Sequence, residues 1–370
     1  MAALPGVTDV FVIGGGPAGL AAAIAARRRG FDVTLADCAE PPIDKACGEG
    51  VMPDGIAAAR ALGIDLSAAG GQPFRGICFH EGGASVEAPF PNGFGLGLRR
   101  TALHRLLVDC AAEAGVRLVW DARISGLDPR GVLANDRLVR AQWTIGADGG
   151  QSSVRRWAGL DACRRDSRRY GFRRHYRVAP WSEFMEIHWG DGCQLYITPV
   201  SASEICGVLI SGDPRLRLED ALPQFPRVAH RLAANPSTRE RGGVSTTRVL
   251  RSVWRGRVAL CGDASGSVDA ITGEGLCLLF RQAVSLAGAL AAGDLRLYRA
   301  AHRRIGRRPA FMAGLMLLLG SSPRLRGRAI RAMATQPRLF AQMLAMHVGE
   351  LSPIDFATNG LALGWQMLTI

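Results

Sequence analysis

Three glycines at a fixed spacing follow a short apolar run near the start of the chain: Gly14, Gly16 and Gly19. The first permits a tight turn, the second lets a pyrophosphate approach the backbone, and the third lets a helix pack closely on a strand. Pro17 suits the first turn of the alanine-rich helix that follows, where an amide hydrogen has no partner. The pattern predicts a dinucleotide site at the free amides of this helix start, with Ala18 among the contacts.

A carboxylate supports this interpretation. Residues 32–36 are predicted to form the second strand, and Asp37 follows them, 23 residues after Gly14. A spacing of about 20 residues is typical of the acid that binds the ribose of a dinucleotide. A glycine-rich turn in another kind of α/β protein is the alternative.

Two more glycine–aspartate turns follow predicted strands, at residues 146–150 around Asp148 and at residues 262–266 around Asp263. In an open parallel sheet, ligands lie across the carboxyl ends of the strands. Three such turns from distant parts of the chain therefore predict one long crevice. Its length suits a dinucleotide better than a mononucleotide.

Hydrophobic periodicity indicates the elements that must position these turns. Helices are predicted at residues 17–29, 53–62, 100–114 and 275–292, and beyond residue 298 with breaks at Pro309, Pro323 and Pro337. Strands are predicted at residues 8–13, 32–36, 74–80, 84–89, 116–120, 143–147, 184–189, 193–198, 204–210 and 257–261. We predict an α/β fold with a Rossmann-like parallel sheet of the FAD/NAD(P)-binding type, an inserted antiparallel-sheet substrate domain and C-terminal helices.

The same pattern predicts a discontinuous domain organisation. We expect a dinucleotide-binding domain at residues 1–75, 92–165 and 250–295, a substrate-binding sheet domain at 76–91 and 166–249, and a helical region at 296–370. On the sheet, His188, Trp189 and Tyr196 are candidates for lining a substrate pocket. A core or surface strand position is the alternative for each.

Composition restricts the class of protein. Nine cysteines without a CxxC pair indicate reduced thiols, and seven histidines without an HExxH pattern lead us to predict no metal. The chain has no secretory signal pattern and no apolar run of the length that spans a membrane, so we expect a cytoplasmic protein.

The net charge of +13 is almost entirely arginine, because Lys45 is the sole lysine. Residues 296–338 hold 11 arginines and no acidic residue around the apolar segment 311–320. Such a region fits contact with a membrane surface or a route for a lipid substrate, or else a helical arm that packs on its own domain. The net charge is the sole feature that suggests a nucleic-acid partner, so we do not expect one.

Taken together, the three turns resemble a known signature. Residues 14–19, Gly146-Ala-Asp148-Gly149 with Ser153-Val-Arg155, and Cys261-Gly262-Asp263-Ala264 are similar to the three motifs of FAD-dependent oxidoreductases of the p-hydroxybenzoate hydroxylase and geranylgeranyl reductase superfamily. The resemblance extends from residue 10 to about 280.

The resemblance implies roles for individual residues. Gly14, Gly16 and Gly19 would hold the FAD pyrophosphate, Asp37 the adenosine ribose, Arg100 the phosphates, Asp148 both FAD and a nicotinamide donor, and Asp263 the ribityl chain. Gly273, Glu274 and Gly275 would lie beside the flavin, at the start of a helix whose positive end stabilises negative charge. Turn capping by Asp148 or Asp263, and a surface position for Arg100, are the alternatives.

Two loops favour one group of enzymes within this superfamily. Lys45-Ala-Cys47-Gly48-Glu49-Gly50 and Thr272-Gly273-Glu274-Gly275 resemble loops of the geranylgeranyl reductases. The resemblance makes Cys47 and Glu49 candidate catalytic residues and places Cys47 and Gly48 at the cofactor; for Cys47 a packing role is the alternative. The histidine and proline that hydroxylases carry after Gly-Asp-Ala are missing, and so is the proline of the reductase pattern.

The resemblance implies an FAD-dependent oxidoreductase that acts on a lipophilic, isoprenoid-type or polyketide-type small molecule. In one version a carbon–carbon double bond is reduced by hydride from the flavin, with a proton from an acid such as Cys47. The alternative is an NAD(P)H-using monooxygenase, a hydroxylase or epoxidase, on an aromatic or polyketide substrate. No second GxGxxG is present, so NAD(P)H would bind without a Rossmann domain of its own; a ferredoxin or a quinone-type carrier is the other donor.

Two further classes stay open at this point. A non-enzymatic prenyl-binding carrier shares the architecture but needs no intact FAD motifs. A flavoprotein that modifies nucleic acid is suggested by charge alone.

Overall fold

The computed structural model describes residues 3–232 and 235–350, apart from the side chains of residues 165 and 166. The end of the predicted helical region, residues 351–370, lies outside the described part.

The strands, in chain order, are β1 (Val7–Ile13), β2 (Val33–Ala36), β3 (Gly50–Val51), β4 (Gln72–Phe74), β5 (Gly76–Glu81), β6 (Ala84–Pro89), β7 (Gly95–Gly97), β8 (Arg117–Val119), β9 (Ile124–Asp128), β10 (Gly131–Ala134), β11 (Arg137–Gly146), β12 (Cys163–Tyr176), β13 (Met185–Trp189), β14 (Cys193–Ser201), β15 (Glu204–Ser211), β16 (Arg241–Leu250), β17 (Trp254–Arg255) and β18 (Val258–Leu260).

The α-helices are α1 (Pro17–Arg27), α2 (Pro53–Ala61), α3 (Arg100–Glu113), α4 (Ser153–Trp157), α5 (Leu218–Ala221), α6 (Pro226–Leu232), α7 (Gly275–Ala291), α8 (Leu295–Ser321), α9 (Pro323–Thr335) and α10 (Pro337–Val348). Short 3-10 turns lie at Gly262–Ser265 and Ala270–Thr272.

The predicted parallel sheet is present, with strand order β17-β18-β11-β1-β2-β8. Its central strand β1 runs parallel to both β11 and β2. The apolar residues of β1 are buried because α1, α3 and α7 cover one face of the sheet while the β9–β10 hairpin and α4 cover the other. Burial on both faces explains why this strand is a continuous apolar run rather than an alternating one.

A second sheet has seven strands, in the order β16-β12-β15-β14-β13-β5-β6, and is formed by the two segments for which a separate domain is predicted. Its strands pair antiparallel, except β5 and β13, which pair parallel and join the two separate segments of the domain. One face packs against the C-terminal helices and the other lies under α5 and α6. Long strands β12 and β16 extend this sheet on one side; the sequence analysis did not resolve either of them.

The C-terminal helices begin at Pro323 and Pro337, as predicted, but the predicted break at Pro309 is wrong. Pro309 lies inside α8, with its ring buried. The packing of the 27-residue helix on α7 offsets the backbone hydrogen bond that the proline removes. Within the described residues, no helix combines the length and the apolar character needed to cross a membrane.

Candidate active site

The three glycine–aspartate turns meet at the carboxyl ends of the parallel strands. A Cβ on Gly14 would overlap the carbonyl oxygen of Ala147, which places the first turn against the second. A Cβ on Gly262 would come within 2.5 Å of the Cβ of Ala18, which places the third turn against the first helix. Residues from three distant parts of the chain therefore meet at one edge of the sheet, where the crevice was predicted.

The first turn is built for close approach. A Cβ on Gly19 would overlap the carbonyl oxygen of Gly14, so only glycine lets α1 start this near to β1. By contrast, a Cβ on Gly16 would meet nothing within 4 Å. The open side at Gly16 leaves the free amides of the α1 N-terminus accessible to a phosphate.

Two residues that the sequence analysis missed hold this turn. The Nε2 of buried His104 lies 2.8 Å from the carbonyl oxygen of Gly15, and Trp120 packs where a side chain on Gly15 would be. Burial lowers the pKa of His104, so the neutral ring donates its single proton to that carbonyl. His104 lies on the apolar face of α3, where a satisfied core histidine gives no distinct sequence signal.

Asp37, predicted to bind ribose, lies directly after β2 and braces the same turn. Its Oδ2 accepts a hydrogen bond from the Gly15 amide at 2.6 Å, and its Oδ1 accepts one from the Ala39 amide at 2.8 Å. A carboxylate has about four acceptor positions, so each oxygen retains capacity for a ribose hydroxyl.

The two carboxylate oxygens of Asp148 differ in their contacts. Its Oδ2 accepts hydrogen bonds from the amides of Ser153 and Val154 at the start of α4. Its Oδ1 is buried and has no hydrogen-bond partner in the part of the chain that the structure describes. The residue therefore caps the helix, as the alternative interpretation has it, and keeps one acceptor for a ligand.

Arg155 connects the second and third turns. It is 1% exposed, and its guanidinium donates to the carbonyl oxygens of Gly150 and Ala264 and to the carboxylate of Asp161. A buried cation with these partners fixes the two turns relative to each other.

Asp263 forms an ion pair with Lys45, at 3.0 Å between Oδ2 and Nζ. Both side chains are about half exposed, at 46% and 49%. Lys45 is the first residue of the loop that carries Cys47, so this contact joins the third glycine–aspartate turn to that loop.

The loop that carries Cys47 is anchored by Glu49. The Glu49 side chain is fully buried and accepts hydrogen bonds from the Arg100 amide, from Arg173 and from His175. Glu49 has φ +59, in the left-handed region that non-glycine residues rarely adopt. Its occupied oxygens suit the positioning of the loop better than the proton transfer predicted for it.

The Cys47 thiol lies within this loop. Burial raises its pKa, opposed in part by the positive charge of Arg100, so the sulfur is protonated near neutral pH. Its Sγ lies 3.4 Å from the amide nitrogen of Glu49. The thiol therefore holds a proton that it can donate.

The two adjacent arginines differ clearly. Arg99 forms a bidentate ion pair with Glu204, at 2.5 and 2.6 Å. The Nε of Arg100 is buried and has no hydrogen-bond partner among the described residues. Of the two, Arg100 is thus the one whose guanidinium is available to a phosphate, as the resemblance implies.

The residues present fit a flavin dinucleotide. A Cβ on Gly16, Gly48, Gly273 or Gly275 would meet no atom of the described residues within 4 Å, so the backbone at all four is open to a close approach by a ligand. Gly273 has φ +67, and α7 begins at Gly275, which brings the positive end of a 17-residue helix to this edge. An unpartnered Arg100 nitrogen and an unpartnered Asp148 oxygen complete the polar groups of the site.

Glu274 points away from this open backbone. Its side chain is 2% exposed, and its Oε2 has no hydrogen bond. Burial raises its pKa to about 8, with the nearby Asp54 carboxylate acting in the same direction. The carboxyl is therefore neutral near pH 7 and contributes to the site through its backbone.

An apolar cavity adjoins the two loops. Met52, directly after the Cys47 loop, and Thr272, directly before Gly273, both line it. The other lining residues come from β5, β13, α8 and α10, and the set holds five methionines: Met52, Met185, Met312, Met316 and Met343. Unbranched thioether side chains adapt to a flexible apolar guest.

The three candidate pocket residues lie on two different faces of the sheet. Trp189 and Tyr196 lie in the core on the cavity side of the sheet, and the Tyr196 hydroxyl donates to the carbonyl oxygen of Ile271 at 2.6 Å. His188 lies on the opposite face, hydrogen-bonded to Glu186. The period-2 alternation of β13 requires this separation of neighbouring residues.

Comparison with known proteins gives the family of this architecture. Residues 7–187 match the family model described as an FAD binding domain. Digeranylgeranylglycerophospholipid reductase 2 of Methanopyrus kandleri is 30% identical over 292 residues, covering 72% of this chain and 73% of that protein. A menaquinone reductase of Mycobacterium tuberculosis is 28% identical over 301 residues, 72% of each chain.

A relative of another activity matches over a similar length. The 2-heptyl-3-hydroxy-4(1H)-quinolone synthase of Pseudomonas aeruginosa is 28% identical over 309 residues, covering 75% of this chain and 79% of that protein. Among solved structures, a flavoprotein/dehydrogenase from Cytophaga hutchinsonii superposes with a TM-score of 0.83 at 18% identity, over 98% of both chains. At that identity the likeness establishes the fold.

Proposed function

This chain belongs to the FAD-dependent oxidoreductases of the geranylgeranyl reductase and p-hydroxybenzoate hydroxylase superfamily, and we propose that it reduces a carbon–carbon double bond in a lipophilic, isoprenoid-bearing small molecule. A nicotinamide donor, typical of the family, would supply the electrons. The observation that carries this proposal is the methionine-lined cavity between the Cys47 loop and the Thr272–Gly273 turn.

Bound FAD would supply hydride transfer chemistry at this site. Gly14, Gly16 and Gly19 with Arg100 would hold its phosphates, while Asp37 and Asp263 would hold its sugar and ribityl hydroxyls. The protein's own part is orientation and exclusion of water, for which the apolar cavity is suited.

The second requirement of the reduction is a proton, and Cys47 is its proposed source. Its thiol keeps its proton because burial raises its pKa. Glu49, Arg173 and His175 would act as positioning residues, because they hold the loop without a free acid of their own.

Anaerobic turnover tests the proposal. The FAD-loaded enzyme is reduced with NAD(P)H or dithionite, and menaquinone or a geranylgeranyl ether lipid is then added as probe. After reoxidation of any quinol in air, we expect mass spectrometry to show two hydrogen atoms added to the isoprenoid chain of the probe. If the reduced enzyme reacts with neither probe yet consumes oxygen in step with an aromatic substrate, the reductase proposal is wrong.

Replacement of Cys47 tests the proton source. We expect Cys47→Ser to lower turnover at least tenfold while leaving FAD content at the parent level, because a hydroxyl is a far weaker acid than a thiol. Cys163→Ser, at an exposed cysteine, is the matched control. Equal turnover in the two variants would return Cys47 to a packing role.

A monooxygenase is the second candidate function, favoured by the quinolone synthase relative. The same cavity would take an alkylated aromatic ring, and the electron donor would be NAD(P)H. Isotopically labelled oxygen in the product, with a stoichiometric loss of NAD(P)H, would support this function over the reductase.

For the basic C-terminal region we propose contact with an anionic membrane surface. Helix α8 contributes Met312 and Met316 to the cavity, so one of its faces packs on the protein. On its other side Leu318 is 53% exposed, and Arg303 and Arg307 are exposed earlier in the helix. An exposed apolar side chain on a helix with exposed arginines suits insertion between anionic headgroups.

Vesicle sedimentation tests this contact. We expect the protein to bind vesicles that contain phosphatidylglycerol, to bind neutral phosphatidylcholine vesicles weakly, and to dissociate as salt is raised. Leu318→Ser should weaken the binding several-fold. Binding that ignores lipid charge and this substitution alike would refute the proposal.

A further inference from the structure

A cluster of polar side chains lies on the outer face of the seven-stranded sheet, away from the flavin crevice. Cys78 and His80 project from β5, and Glu186 and His188 project from the neighbouring strand β13. The register pairs Cys78 with Glu186 and His80 with His188, so the four side chains form a square on one face.

The imidazoles and the carboxylate of this square converge on one point. The rings of His80 and His188 are stacked, with centroids 4.3 Å apart and planes 9° apart. The Oε2 of Glu186 lies 2.8 Å from Nε2 of His188 and 3.9 Å from Nε2 of His80. One ligand atom from each of the three residues lies within 4.8 Å of the others.

The buried carboxylate of this cluster is paired with histidines and, among the described residues, with no lysine or arginine. The Glu186 side chain is 8% exposed, and in the part of the chain that the structure describes its ion-pair partners are the two histidines. The Nε2 of His80 also faces the Sγ of Cys78, at 3.3 Å. Two imidazoles beside a buried carboxylate are a donor set that suits a divalent cation.

In a second cluster of similar composition, an arginine neutralises the buried carboxylate. Glu49, His175 and Cys206 also bring their polar atoms within 4.8 Å of one another. There the guanidinium of Arg173 lies 2.9 Å from the Glu49 carboxylate and supplies the positive charge. No such guanidinium pairs with Glu186 in the described residues.

We propose that His80, Glu186 and His188 bind a single Zn²⁺ ion. Two imidazoles and one carboxylate are ligands that zinc prefers, and the side chain of His80, 31% exposed, offers the ion a way in. Binding through Nε2 moves the His188 proton to Nδ1, so the ion replaces the present hydrogen bond to Glu186. The indole of Trp181 donates to the other carboxylate oxygen at 3.0 Å and orients it.

The ion would link strands β5 and β13 of the sheet. Strands β5 and β13 join the two chain segments of this domain, and their opposite faces contribute Ile77, Phe79, Met185 and Ile187 to the cavity. A zinc bridge across this pair therefore holds the cavity wall without touching substrate or flavin. Its role is structural and independent of the reaction.

Calorimetric titration of the FAD-loaded protein with ZnCl₂, after dialysis against a chelator, tests the site. We expect one zinc equivalent per chain and a higher melting temperature with zinc. His80→Gln and His188→Gln should each weaken binding by at least about tenfold, since even loss of an outer partner of a metal ligand has that effect. His230→Gln, at an exposed histidine on α6, is the matched control and should bind as the parent does.

FAD content and the zinc-free melting temperature show whether the variants fold. The proposal is overturned if the parent takes up no zinc, or if folded His80→Gln and His188→Gln bind it as tightly as the parent. X-ray absorption at the zinc edge provides a second measurement, with imidazole scattering expected in the parent. A spectrum without imidazole would also overturn it.

Discussion

Arg173 and Glu49 form a buried ion pair, with Nη1 of the arginine 2.9 Å from Oε1 of the glutamate. The two side chains are 4% and 0% exposed. Arg173 belongs to β12 of the seven-stranded sheet, whereas Glu49 belongs to the loop that carries Cys47. Asp44 contacts the same guanidinium at 2.9 Å. The pair thus ties the candidate catalytic loop to a strand more than 120 residues away in the chain.

The first prediction concerns this pair. Glu49→Gln should lower the free energy of unfolding by about 2 kcal/mol or more, because it removes the charge that faces a buried guanidinium. Urea unfolding of the FAD-free protein measures the change. The control is Glu183→Gln, whose ion pair with Arg75 is exposed and should change stability by less than about 1 kcal/mol. Equal effects would contradict the anchoring role of Glu49.

The second prediction separates two glycines of the first turn. Gly19→Ala should destabilise the FAD-free protein, because the added Cβ overlaps the Gly14 carbonyl. Gly16→Ala should leave that stability nearly unchanged but weaken FAD binding, since its Cβ enters open space at the α1 N-terminus. Thermal unfolding and flavin titration measure the two effects. If the Gly16→Ala variant binds FAD like the parent, the pyrophosphate does not bind at this turn.

The third prediction concerns Asp263. Asp263→Ala should lose most bound FAD while changing the stability of the FAD-free protein by less than about 1 kcal/mol, because the ion pair with Lys45 is half exposed. Flavin absorbance after gel filtration measures the content. Asp213→Ala, at an aspartate exposed to a similar degree beside Arg215, should retain FAD. An Asp263 variant as yellow as the parent would show that the third motif does not hold the cofactor.

The fourth prediction is a pH dependence of stability. Burial raises the pKa of Glu274 from 4.5 to about 8, so above pH 4.5 the unfolded chain binds fewer protons than the folded one. Stability therefore falls as pH rises towards 8 and levels off above it. Between pH 6.5 and 8.5 this carboxyl should remove about 2 kcal/mol. The buried histidines His80, His302 and His347 act in the opposite direction at the lower end of this window, because the unfolded chain still takes up protons on them near pH 6.5.

Denaturant unfolding of the FAD-free protein at the two pH values measures the effect. Glu274→Gln should abolish this loss of stability, because an amide does not titrate, and leave the small rise that the histidines contribute. Glu113→Gln, at an exposed glutamate of α3, should behave as the parent does. An unaltered pH dependence in Glu274→Gln would assign the loss of stability to another group.

Local rules predicted much of the fold. The helix starts at Pro17, Pro323 and Pro337 follow from the preference of proline for a first helical turn. Period-2 alternation identified β5 and β6 within three residues of their observed ends. Pro309 misled the same local rule, because burial and packing of α8 override one lost hydrogen bond.

Sequence spacing by itself determined the parallel-sheet fold and the three glycine–aspartate turns, because glycine spacing after an apolar strand reflects constraints that lie within one βα unit. Only the tertiary structure decided which side chains are engaged: Arg99 pairs with Glu204 while Arg100 remains available, and Glu49 is buried against Arg173. It also brought His80 beside His188 across a parallel strand pair. Burial and pairing depend on residues more than a hundred positions apart, and no local pattern carries that information.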